Sequence, residues 1–209
     1  MKRMGTMTKS FISNYLAEQP IVINSRYTYS LPLYSTGIMI LELLENGYIH
    51  VNQKDVIEIV KDQDIKDPCF NSLMLFLQNN ETRTCKEWIY YFGTEQKIVN
   101  EIFMDVLKEM EEEGIVRFQS KKILSFIVNQ IKVEYVYGAN SFVDHIQKDV
   151  LLKKGNEIEK IALLWKYCYA AYMNEQEIFS LQKEQTIYKF VRQIQEGVLE
   201  GAQRNVLFV

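Results

Sequence analysis

The chain has 209 residues, 47% of them apolar, with a net charge of −3 and a pI near 5.6. That length holds one large domain or two small ones, and that apolar share is enough to bury a core, which excludes wholesale disorder. The acidic balance argues against a nucleic-acid partner, because phosphate binding needs a basic face, and leaves open only a local basic patch.

Residues 1–35 hold few signals. Lys2, Arg3 and Lys9 lie in the first ten residues, and no apolar stretch of signal-peptide length follows them. Phe11-Ile12 and Tyr15-Leu16 fit a short helix ended by Pro20, and Ile21-Val22-Ile23 is a short β-like run. From Arg26 to Pro32 tyrosines alternate with small polar residues, which reads as a loop fixed at its end by Pro32.

The next segment, Thr36 to Val51, joins a helical pattern to a glycine and then a strand. Ile38, Ile40, Leu41, Leu43 and Leu44 populate more than one helix face, so the helix should be buried on most sides. Gly47 can take the left-handed conformation that closes a helix, and Tyr48 to Val51 is β-prone. Val56-Ile57 and Ile59-Val60 continue apolar, and Asp62 to Pro68 is a polar connector.

Asp67-Pro68 opens a helix, with proline in the first turn where its missing N–H costs nothing. Leu73, Met74, Phe76 and Leu77 are its core candidates. Thr84 caps a shorter helix holding Trp88, Ile89 and Phe92, which Gly93 is expected to stop. Thr94 is expected to cap the next, where Ile98, Ile102, Val106 and Met110 form the clearest amphipathic stripe in the chain. Glu109, Glu111, Glu112 and Glu113 crowd the end of that helix, where acid opposes the dipole, so this end should fray or meet a basic partner. Gly114 then repeats the earlier phrase, helix to glycine to strand.

Residues 115–137 are strongly β-prone, with Ser120-Lys121-Lys122 as the natural turn, and predict a β-hairpin in an otherwise helical protein. Gly138 to Asn140 ends it and Ser141 caps a new helix. Phe142, Ile146, Val150 and Leu151 make a stripe that stops at Lys153-Lys154-Gly155. Ile158 to Met173 is apolar nearly all round and should be a central buried helix. Its most apolar part, Ile161 to Met173, contains Lys166 and falls short of the roughly 20 residues that span a bilayer. Glu177 to Leu199 is again helical. No linker rich in glycine, serine or proline splits the chain. The expected fold is mainly α: a single compact helical domain over 1–209 with one protruding hairpin (about 115–137) and short strands.

Cys69, Cys85 and Cys168 are odd in number and form no CxxC pair, so neither a disulfide framework nor a structural zinc site is expected. Reduced thiols in a cytoplasmic protein, soluble or peripheral at a membrane, are the plain reading. Two histidines, His50 and His145, leave most metal and triad schemes without parts. Asp144 precedes His145, but neighbours in sequence do not face each other on a helix. The glutamates at 109–113 read as a solvated helix end in preference to metal ligands. Scattered glycines supply no phosphate-cradling loop. No nucleophile, base and orienting group can be assembled, so no catalytic residue, cofactor or metal is expected.

In order and spacing the segments resemble the Golgi phosphoprotein 3 family through roughly residues 36–195. Gly37-Ile38-Met39-Ile40-Leu41-Glu42-Leu43 with Gly47-Tyr48-Ile49 looks like that family's glycine-led helix and short strand. Asp67 to Leu77 with Glu87-Trp88-Ile89 is similar to its stretch around a mid-chain tryptophan. Lys108 to Val116 is similar to its helix ending in a glycine, 115–136 sits at its hydrophobic hairpin, and Ile161 to Ala171 looks like its late leucine/alanine helix.

The resemblance implies a helical fold with the hairpin protruding and a non-catalytic role. Eukaryotic members bind phosphatidylinositol 4-phosphate, dip the hairpin tip into the bilayer and adapt client membrane enzymes for transport. By position, the family's pocket tryptophan falls at Tyr27, the arginine before the helix at Thr36, and two further arginines near Asn100 and Phe103. None of the arginines is kept, and each lost charge-assisted contact removes about 1.5–3 kcal/mol. Arg26 and Lys97 are the basic residues near enough to substitute.

At the hairpin tip, Lys121, Lys122, Ile123, Leu124 and Phe126 suit either of two roles. The apolar side chains can enter a membrane while the lysines meet anionic headgroups. Alternatively they pack on the domain or on a second subunit, since hairpins are weakly stable alone. Three classes therefore stand: a peripheral membrane adaptor, a protein-interaction or oligomerisation module without lipid binding, and a winged-helix DNA binder. The last is opposed by the acidic chain and the lack of a basic recognition helix.

Overall fold

The computed structural model describes residues 5–18, 20–22, 30–60, 65, 67–121, 130–136 and 182–207. The helices expected between 138 and 181, with Cys168 and His145, lie outside them. Among the described residues the fold is mainly α. Six helices, α1 (Thr6–Glu18), α2 (Ser30–Glu45), α3 (Pro68–Gln78), α4 (Cys85–Thr94), α5 (Gln96–Glu112) and α6 (Gln182–Leu207), surround a core that also seats two small antiparallel sheets. No helix among them is long and apolar enough to cross a membrane.

α2 is the centre. Ile38, Met39, Ile40, Leu41 and Leu43 are all at most 1% exposed, so successive residues are buried whichever way they point. α1, α4, α5 and α6 pack around it. The helix begins at Ser30, within the stretch expected to be a loop. Pro32 therefore starts a helix: in the first turn its absent N–H has no partner to lose. The hydroxyls of Ser35 and Thr36 donate to the carbonyls of Leu31 and Pro32, which absorbs two buried polar groups inside the helix.

The repeated phrase is one motif built twice. Gly47 (φ 75°) and Gly114 (φ 74°) are both left-handed. Tyr48 N–H donates to Leu43 O and Gly47 N–H to Leu44 O; Ile115 N–H donates to Met110 O and Gly114 N–H to Glu111 O. Each pair is the Schellman pattern, which satisfies the last carbonyls of the helix.

β2 (Ile49–Val51) turns back at once onto β3 (Ile57–Ile59), so the apolar run Val56–Val60 is the second strand of a hairpin. Its turn lacks glycine. Asn52 Oδ1 accepts from the N–H groups of Lys54 and Val56, and Asp55 adopts φ 62°, a conformation aspartate tolerates better than most residues.

Both expected N-caps at α3 and α4 form. Asp67 accepts from the N–H groups of Cys69 and Phe70, and Thr84 makes a reciprocal capping box with Glu87. Two other expectations at this junction are corrected. Gly93 does not stop α4; it lies inside the helix, where α6 crosses so closely that a Cβ would sit 3.0 Å from Gly201 Cα. Thr94 does not cap α5: its hydroxyl turns back to Tyr91 O, and the first residue before α5 is Glu95, without a side-chain cap.

The hairpin forms as β4 (Val116–Lys121) on β5 (Gln130–Tyr135). Its turn is not at Ser120–Lys122, because β4 runs on through Lys121, which pairs with Gln130. The β-prone run Ile123–Val128 lies outside the described residues; pairing register, which composition does not carry, is what places Ser120 and Lys121 in the ladder. A third strand, β1 (Ile21–Val22), lies antiparallel on the free side of β5, giving the order β1-β5-β4.

Candidate functional site

The hairpin base is seated firmly. Val116, Val133 and Tyr135 point into the core and are buried, while Arg117 and Gln119 are exposed on the other face beside Lys132 and Glu134. Gln119 Nε2 donates to Glu134 Oε2 at 2.6 Å, and Lys132 pairs with the same carboxylate. Phe118 N–H, on the outer edge, donates to Glu111 Oε1 at 3.1 Å, so the end of α5 holds the start of the finger. Lys121 is the last rung of the ladder. Lys122, Ile123, Leu124 and Phe126 lie outside the described residues.

Of the positions implied for a headgroup pocket, Arg26 and Tyr27 also lie outside the described residues. Thr36 is 1% exposed on α2, its hydroxyl committed to Pro32. Phe103 is buried on α5, Asn100 is half-buried one turn before it, and Lys97 is exposed, 3.9 Å from Glu101. α2 and α5 do pack together, and of the described positions only Asn100 and Lys97 reach solvent, with one positive charge between them.

A polar cluster that sequence reasoning missed lies where α1, α2, α3 and α5 meet. Lys9, buried on α1, places its ammonium 2.8 Å from Glu109 Oε1 and 3.2 Å from Glu113 Oε1 at the end of α5. The acid run thus meets a basic partner within the chain. Cys69 Sγ–H donates to Glu109 Oε2 at 3.2 Å. Burial, with Glu109 beside it, pushes the Cys69 thiol well above its ordinary range, so it is not a thiolate. Asp67 is raised by burial and by repulsion from Glu109, against the pull of Lys9 and its capping bonds.

One oxygen each from Asp67 and Glu109 and the sulfur of Cys69 lie within 4.8 Å of one another, close enough in principle for a metal. The chemistry favours a different occupant. The Lys9 ammonium already sits on Glu109 as the cluster's cation, and the sulfur ligand would have to lose a tightly held proton. The set is a lysine-neutralised helix junction.

Neither protein-family models nor curated proteins give a match to this chain. Its other polar features fasten elements together. His50 Nε2 lies 2.9 Å from Glu58 Oε2 across the exposed face of β2–β3. The Arg83 guanidinium stacks 4.9 Å from the Trp88 ring and 4.6 Å from Tyr91, clamping the strand-like segment before α4 onto its aromatic face. The buried thiol of Cys85 is likewise pushed far up by desolvation.

Sequence carried one pointer to the polar cluster. Glu42 is the lone charge in Gly37–Leu44, a run otherwise apolar, and a charge amid core positions must be compensated. Lys9 carried none, since it reads as one more cation of a basic terminus.

Proposed function

We propose that the chain is a non-enzymatic, cytoplasmic adaptor-type protein of the Golgi phosphoprotein 3 kind, which meets an anionic membrane surface through the far end of its hairpin. One observation carries the reading: the β4–β5 register. Val116↔Tyr135 is the rung beside α5 and Lys121↔Gln130 the last rung away from it. The connection between them, with Lys122, Ile123, Leu124 and Phe126, therefore departs from the end remote from α5. Apolar side chains next to lysines suit insertion beneath anionic headgroups, where each lysine contributes about 1 kcal/mol. The paired helix–glycine–strand motifs in the family's order lend support. With no arginine at Thr36, Asn100 or Phe103, surface charge in place of a fitted phosphoinositide pocket sets the affinity.

The test is flotation of the full chain with vesicles of phosphatidylcholine alone, with phosphatidylserine, or with phosphatidylinositol 4-phosphate at matched charge. Binding to both anionic vesicles at low salt, lost with Leu124→Asp, is expected. No binding at low salt removes the proposal. Self-association has one observation in its favour, because among the described residues β4 is an edge strand and edges pair with other chains. A dimer mass in light scattering that Phe126→Asp reduces to a monomer, without vesicle binding, selects that reading.

A further inference from the structure

β4 has two rows of main-chain groups, and the register says which row is spent. Val136 N–H donates to Ile115 O, and in an antiparallel ladder such bonded pairs alternate with unbonded ones. Arg117, Gln119 and Lys121, opposite Glu134, Lys132 and Gln130, therefore turn their N–H and C=O groups toward β5. Those of Val116, Phe118 and Ser120 turn away from it. Among the described residues no strand lies on that outer side, and an open row of this kind is a template for another chain. At its middle the row is occupied by a side chain: Glu111 Oε1 accepts from Phe118 N–H at 3.1 Å. Glu111 is exposed at the end of α5, so the rung that it fills faces solvent.

We propose that Glu111 guards the outer edge of β4 against antiparallel pairing with the β4 of a second copy of this chain. The strand's own charges select the register. Two registers that use the outward groups engage most of β4. One is centred on Gln119 and sets Arg117 opposite Lys121 of the second copy, like charges that repel. The other is centred on Phe118 and sets Arg117 opposite Gln119 and Val116 opposite Ser120, with no like charges facing. It needs the N–H groups of both Phe118 residues, and those are the groups that Glu111 holds.

A carboxylate blocks this rung in two ways. It fills the donor that an incoming C=O would take, and a charged acceptor makes the stronger bond. An approaching strand also has to desolvate the charge or push it aside. Alanine at 111 removes both obstacles and leaves the β4–β5 ladder whole, since no rung of it uses Glu111. The guard stands whether or not the hairpin tip meets a membrane. It sets the condition under which edge pairing begins: Glu111 has to leave Phe118.

Light scattering of the full chain across a wide range of concentration reads this out. Glu111→Ala should gain mass with concentration, toward twice that of the unmodified chain. Adding Ser120→Pro should return it to the unmodified value, because proline removes an outward N–H and leaves the bonds to β5 in place. Glu112→Ala removes the same charge from an exposed neighbour on α5 and should behave as the unmodified chain. Equal masses for Glu111→Ala and the unmodified chain overturn the proposal, as does a gain that Ser120→Pro leaves standing or that Glu112→Ala shares. An unmodified chain whose own mass Ser120→Pro lowers has its edge already paired, which also overturns it. If the doubly substituted chain does not fold, amide exchange in Glu111→Ala decides. Protection at Phe118 and Ser120 that rises with concentration upholds the guard, and protection that stays level rejects it.

Discussion

After Gly47 the chain makes a ladder of three rungs that turns within a few residues; after Gly114 it makes one of six rungs among the described residues. Both begin from the same Schellman ending. The contrast comes from what each ladder is tied to. The first is pinned along its length: Ile57 N–H donates to Arg83 O, Val56 bridges to Thr84, and Lys189 of α6 grips Asp55 at the turn. The second is held at its base by Glu111, by its buried inward residues and by β1. A shared stop signal fixes where a strand starts and says nothing of where it leads. The first ladder is tied from its turn to its base, and the described part of the second is tied at its base.

The helices before the two glycines differ as well, and this gives the largest expected effect. α2 has no spare face, so Met39→Asp, Ile40→Asp and Leu41→Asp, three successive positions, should each prevent folding. Burying an unpaired charge costs more than the about 5–15 kcal/mol that a domain has in hand. On α5, exposed Glu101, Lys108 and Glu112 should accept alanine within about 0.5 kcal/mol. Circular dichroism and urea titration compare them. If any of the three aspartate variants on α2 folds with near-native stability, the picture of a helix buried on all sides fails.

A smaller effect tests whether the two endings are one device. A Cβ on Gly47 or on Gly114 meets nothing within 4 Å, so alanine at either pays for backbone conformation alone. Gly47→Ala and Gly114→Ala should each lose about 1 kcal/mol, by equal amounts within error. Unequal losses would mean that the strand beyond one glycine depends on its exit angle.

What could be read from sequence divides along this line. Gly47, Gly114, the Asp67-Pro68 start and the Thr84–Glu87 box were legible because their chemistry is completed within a few residues. Pro32 is ambiguous in sequence because proline marks both ends of loops and the first turns of helices. Gly93 was misread because its role depends on Gly201, and the turn at Ser120–Lys122 because register depends on the partner strand. The polar junction was least legible: Lys9 meets Glu113 across 104 positions and Glu42 meets Thr8 across 34. Local pattern holds no record of contacts at such separations.

The smallest expected effect probes how the short ladder is tied to α6. Lys189 Nζ lies 2.6 and 2.7 Å from the two oxygens of Asp55, with both side chains about half exposed. Exposed pairs contribute roughly 0.2–1 kcal/mol and are screened by salt. Asp55 also bears the cost of a left-handed backbone, which asparagine tolerates equally and glycine avoids. Asp55→Asn should therefore lose only the ion pair, and the loss should vanish at high salt. Asp55→Gly loses the pair but gains back the backbone cost, and should end within about 0.5 kcal/mol of the unmodified protein. A loss in Asp55→Asn that high salt leaves intact would assign the anchoring of the turn to Asn52 and its two accepted N–H bonds, and not to α6.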